Sequence, residues 1–185
     1  GADAAMQSLD KDLKNIFSPN LNAFSSVISV YGACNSIFDI SETIGSNFYY
    51  IVGSKDISYD KEYCEERYSE LKKAGSSSQE YIIEGAVHAY DADFPVTYIP
   101  TTEIPNFFKC EFEFNKDGSI TERITGAKVT FKSNDDLNAK YKITREFTFK
   151  DIKGCFEKEG LQMGSQGFAV KETKRLLLDI IQKNF

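Results

Sequence analysis

His88 is the only histidine in the chain, so any mechanism that moves a proton through an imidazole must run through this one position. It lies in the segment EGAVHAYDAD, read as part of a strand from Glu80 to Ala92. On that strand it shares a face with Glu84 and Tyr90, and Glu84, Asp91 and Asp93 are the nearby carboxylates available to orient it. The chemistry this implies is proton transfer or hydrolysis by a histidine base with a carboxylate behind it. No nucleophile is placed beside it by a recognisable motif, and a histidine near a strand end serves equally as a structural or surface residue.

A second candidate comes from a charge in an apolar row. Counting along residues 137 to 150, the alternate positions Leu137, Ala139, Tyr141, Ile143, Phe147 and Phe149 are apolar or aromatic, and Arg145 interrupts them. Residues 107 to 115, 119 to 132 and 137 to 150 read as a three-strand antiparallel meander. A three-residue turn at 116 to 118 pairs Asn115 with Ser119, and therefore Phe114 with Ile120 and Phe112 with Glu122. In the second strand the inward positions change from Ile120, Glu122 and Ile124 to Ala127, Val129 and Phe131, which a bulge near Thr125 and Gly126 would produce. Carried through that bulge, the register sets Glu122 opposite Arg145, with Phe112, Phe147 and Tyr141 around them. The pair is either a buried ion pair that fixes register, or the polar anchor of an aromatic pocket. In the second case Arg145 would take a ligand carboxylate or phosphate in its guanidinium fork.

Metal binding finds no support, because one histidine and dispersed carboxylates lack ligand spacing. No cofactor motif is present either. EGLQMGSQGFAVK, residues 159 to 171, lacks the GK[ST] ending of a phosphate loop and reads as a connector. Cys34, Cys64, Cys110 and Cys155 form no CxxC pair. They are four buried thiols, or two disulfides in one of three connectivities. The even count, with the small residues GADAA that signal cleavage would leave, leans toward export to a periplasm or to the outside; free cysteines would place the chain in the cytoplasm.

The elements that must position these residues follow from periodicity. Met6, Leu9, Leu13, Ile16 and Phe17 predict a helix from Asp3 to Phe17, and Leu21 through Tyr31 a second, running toward Ile40. NFYYIVG at 47 to 53 predicts a strand; Asp60 caps a short helix bearing Cys64, Tyr68 and Leu71. Pro95, Pro100 and Pro105 make their segment an edge or a long loop, and 170 to 185 close the chain as a helix. With 185 residues and 41% hydrophobic content, one domain over 1–185 is expected. The architecture is α+β: a curved antiparallel sheet with N-terminal, mid-chain and C-terminal helices on one face. By this order of elements the chain is similar to cystatin-like and NTF2-like cone folds, and less closely to START-like helix-grip folds. That resemblance implies a concave sheet face and assigns no residue.

A net charge of -6 with scattered basic residues excludes a nucleic-acid footprint, and no apolar run approaches the roughly 18 residues a transmembrane helix needs. Three functions are consistent with these features. The first is a non-enzymatic binding domain, exported, holding a small apolar or anionic ligand or a protein partner in the concavity. The second is an NTF2-like enzyme using His88 with Glu84 or Asp91, and the third a structural module of a secretion or envelope complex.

Overall fold

In the computed structural model the described residues are 5–6, 8–17, 20, 22–32, 34–38, 40–103, 106, 108–115, 119–130 and 152–184. They form a mixed α and β structure with several small sheets. The chain divides into two compact units. The first comprises residues 1–34, 40–99 and 161–185, and the second 35–39 and 100–160.

In the first unit, β1 (Ser26–Val30), β3 (Asn47–Gly53) and β4 (Ser78–Ile83) form a parallel sheet in the order β1-β3-β4. The second helix expected between Leu21 and Ile40 is not formed. SVISV becomes β1, and SIF becomes β2 (Ser36–Phe38). Its apolar spacing fits both periods, and in a five-residue run with three β-branched side chains pairing with a neighbouring strand decides. The helix expected from Asp3 is likewise interrupted. Asp10 bridges to Thr43, and α1 spans only Lys11–Phe17.

β3 is the central strand, and Phe48 through Gly53 are all buried. A strand covered on both faces has no polar side, which is why FYYIVG, residues 48 to 53, carries no charge. Its odd residues Tyr49 and Ile51 pack with Ile83, Ala86 and Tyr90 against Ala169, Leu176 and Ile180 of α3 (Gly167–Asn184). Its even residues face the other way, where the Phe48 and Tyr50 rings lie 6.3 and 6.1 Å from Tyr68 of α2 (Lys61–Lys73). Helices therefore cover both faces of this sheet, not one. The start of α2 is as expected, with the Asp60 carboxylate accepting from the amides of Glu62 and Tyr63. Together β3, α2 and β4 make a βαβ unit.

β4 is shorter than the strand expected to Ala92. It stops at Ile83, because Gly85 at φ +77° turns the chain. Residues 84–91 then fold over the sheet end, which buries Ala86, Val87 and Tyr90 without alternation. β5 (Thr97–Ile99) and β9 (Leu161–Met163) pair as a short antiparallel ladder, so the proline segment is indeed at an edge and the glycine connector holds a strand. Among the described residues, no helix is long and apolar enough to cross a membrane.

The second unit contains β6 (Phe112–Phe114), β7 (Ser119–Glu122) and β8 (Lys128–Thr130), antiparallel in sequence, with β2 added parallel to β6. The derived register of the first hairpin holds: Phe112 faces Glu122 and Phe114 faces Ile120. The continuous strand expected over 119–132 does not form. Instead of a bulge there is a reversal. Gly126, at φ +72°, donates to the Glu122 carbonyl at 2.8 Å, the Glu122 amide donates to Ala127, and β8 returns along β7 with Ile120 facing Val129. The change of parity was the trace of a hairpin. The expected strand 137–150 lies outside the described residues.

The architecture thus differs from one curved antiparallel sheet: among the described residues there are three small sheets, and the one around β3 is wholly parallel.

Candidate functional site

The carboxyl ends of β1, β3 and β4 meet at one edge of the parallel sheet, the place where open α/β sheets hold their ligands. Each strand is followed by a residue of one cluster: Tyr31 after β1, Asp56 and Ser58 after β3, and His88 after β4. Tight contact between the last two loops is made possible by Gly53, where an added Cβ would collide with the carbonyl of Ala86. Backbone bonds then lace them, Ser54 to Ile83 at 3.0 Å and Lys55 to Ala86 at 2.9 Å.

His88 Nδ1 lies 3.1 Å from Asp56 Oδ1 and 3.0 Å from Oδ2. The Asp56 side chain is fully buried and that of His88 is 20% exposed. Oδ1 also accepts from the Ser58 amide at 2.9 Å and from its hydroxyl at 2.6 Å, so the carboxylate is fixed by its own turn before the imidazole reaches it. A buried, hydrogen-bonded carboxylate facing Nδ1 sets the ring to donate from that nitrogen, which makes Nε2 the basic position. Ser58 Oγ is 3.4 Å from Nδ1, on the side Asp56 already occupies. A serine relay needs the hydroxyl and the carboxylate on opposite ring nitrogens, so Ser58 supports the carboxylate and is not a nucleophile activated by His88.

Gln166 braces the histidine loop from the other side. Its Oε1 accepts from the Val87 amide at 2.8 Å, its Nε2 donates to the Gly85 carbonyl at 3.2 Å, and its amide donates to Tyr90. Gly164 donates to the His88 carbonyl at 3.2 Å.

Of the residues expected around His88, Glu84 is exposed in the turn after β4 and Asp91 bonds to Tyr31. Asp93 is exposed. The carboxylate that meets the ring is Asp56, which reading along one strand could not find. The signal was present as GSKD, an aspartate directly after the most apolar strand.

The other candidate divides. Phe112 packs against Cys110, Ile152 and Cys155, and Glu122 is 2% exposed; Tyr141, Arg145 and Phe147 lie outside the described residues. Glu122 Oε1 accepts from the amides of Glu111 and Ile124 at 2.9 and 3.1 Å, and Oε2 from the Thr125 amide and hydroxyl at 2.6 Å each. Burial pushes this carboxyl up, but those four bonds outweigh it and hold it below the usual carboxylate range. The cysteines pair as Cys34–Cys64 and Cys110–Cys155. Ligand atoms of Cys110, Cys155 and Glu122 lie within 4.8 Å of one another, yet the sulfurs are joined and the carboxylate is filled, so this cluster is structural as it stands.

Comparison with protein-family models, with curated proteins and with solved structures finds no match.

Proposed function

We propose that the chain carries the acid–base part of a hydrolytic or acyl-transfer site, with His88 as general base and Asp56 as the carboxylate that orients it and stabilises the imidazolium. The observation that carries this is the 3.0 Å contact between Nδ1 of a partly exposed imidazole and a fully buried carboxylate at the carboxyl edge of a parallel sheet. Such a carboxylate fixes tautomer and ring orientation, and the proton taken from a water, hydroxyl or thiol arrives at Nε2. The order along the chain, aspartate after one parallel strand and histidine after the next, resembles that of α/β-hydrolases, and the likeness is one of arrangement. It differs from the cone-fold enzyme in placing His88 at the edge of a parallel sheet.

The paired cysteines support an oxidising compartment, and export is part of the proposal. A binding module without chemistry is the alternative. Hydrolysis of an activated ester by the intact chain separates the two. The rate should follow one ionisation, be abolished in His88→Gln, and fall by roughly 10² to 10⁴ in Asp56→Asn. Equal rates in wild type and both variants would remove the proposal.

A further inference from the structure

Among the described residues only Tyr31 and Ala89 adopt positive φ without being glycine, at +42° and +48°, and both adjoin His88. Ala89 follows it in the chain, and Tyr31 packs on its ring. Such backbone costs about 1 kcal/mol or more and persists where surrounding structure imposes it, as functional sites do. At Tyr31 the imposing contacts are visible. Its amide donates to the Ile51 carbonyl at 2.8 Å, which extends the β1·β3 ladder by one residue and pins the backbone. Its side chain then reaches across to the histidine loop.

Three residues of that loop meet this one side chain. The Tyr31 ring is edge-on to His88 at 5.6 Å and 65°, and to Tyr90 at 5.1 Å and 88°. The Tyr31 hydroxyl donates to Asp91 Oδ1 at 2.6 Å. Tyr90 is itself held, its hydroxyl 2.7 Å from Thr173 Oγ1 of α3. The loop is thus gripped between a buried anchor at Tyr90 and a surface anchor at Asp91, with the imidazole between them.

We propose that Tyr31 is the positioning residue of the His88–Asp56 pair, its ring and its bond to Asp91 holding residues 88–91 so that Nδ1 stays on the Asp56 carboxylate. This rests on reading that pair as the acid–base group. Burial, and then the bond to Asp91, raises the ionisation of the Tyr31 hydroxyl, so it remains a donor throughout the working pH range. Asp56, Ser58 and Tyr31 are among the groups that face the imidazole, with Asp91 acting through Tyr31.

With one histidine in the chain, nitrogen-15 NMR of the labelled imidazole reads its neutral tautomer ratio without ambiguity. Wild type should show predominantly Nδ1–H. Tyr31→Phe and Asp91→Ala, which remove the donor and the acceptor of that bond, should each move the ratio toward that of free imidazole by roughly two- to tenfold, the equivalent of one hydrogen bond. The double variant should move it no further than either single, because both remove the same bond. Tyr31→Asn, which tolerates the positive φ but lacks the ring, should move it more. Unchanged ratios in these variants, with folded spectra, overturn the proposal; if Tyr31→Phe does not fold, Asp91→Ala at the surface carries the test. Asp56→Asn separates the two levels. If it leaves the ratio unchanged the acid–base pair itself fails, whereas if it alone moves the ratio only the positioning role fails.

Discussion

Gly53 ends β3 directly against the carbonyl of Ala86, with no room for a Cβ between them. This contact brings the Asp56 loop and the His88 loop together. Gly53→Ala should therefore destabilise the first unit by about 1 to 3 kcal/mol through overpacking. It should also move the His88 tautomer ratio, since any relief of the collision separates the loops. Denaturant unfolding alongside the histidine spectrum checks both. A loss of stability with an unmoved tautomer would mean that the strain is absorbed elsewhere.

Glu122 gives the second unit a defined acid response. Its folded ionisation lies below the ordinary value of 4.5, so its contribution is present above that value and is lost as pH falls through the lowered one. Glu122→Gln keeps the shape but turns an amide group toward backbone donors. It should cost about 2 to 3 kcal/mol at neutral pH, and should flatten the acid limb of the stability curve. Equal acid sensitivity in wild type and variant would assign that limb to other carboxylates.

Elements whose pattern is local were legible in the sequence. Asp60 caps its helix, NFYYIVG forms its strand, and Phe112 faces Glu122 in the expected register. What could not be read was which strands pair at long range. SVISV suits a helix face as well as a strand, and only its pairing with Asn47–Ile51 decides between them. Asp56 was missed for the same reason. The carboxyl edge of a sheet is a meaningful place only once its strands are known to be parallel, whereas the order of elements alone suggests an antiparallel sheet. Glu122, expected to face inward opposite Arg145, is buried; three backbone amides and the Thr125 hydroxyl satisfy it, a solution that leaves no mark on side-chain alternation.

Two tyrosines converge on Glu80: Tyr59 Oη donates to Oε2 at 3.0 Å and Tyr68 Oη to Oε1 at 2.9 Å. Burial and then the Glu80 bond push Tyr59 up to about 12, and Tyr68 is raised as well, chiefly by burial. Because the folded values exceed the unfolded 10.0, these groups stabilise below that pH and cease to do so as pH rises toward 12. Spectrophotometric titration should show late-ionising tyrosines, and Glu80→Gln should bring Tyr59 down. A titration unchanged by that substitution would mean burial alone sets the shift.

Denatured, unreduced protein should yield no titratable thiol, since both cysteine pairs are joined. With partners 30 and 45 positions apart in sequence, reduction should cost about 3 to 4 kcal/mol for each bridge in the chain-entropy account. Thermal unfolding with and without reductant measures it. Free thiols in the native preparation would argue for a reducing compartment.

Ile99 and Leu161 face each other across the β5·β9 ladder. The stretch from Pro100 to Gly160 therefore departs from and rejoins the first unit at a single rung. Closing a longer loop at a fixed rung adds little entropy, because the cost grows only with the logarithm of length. Added length at that rung is consequently cheap for this chain, whereas loss of the stretch would leave β2 without β6, its partner.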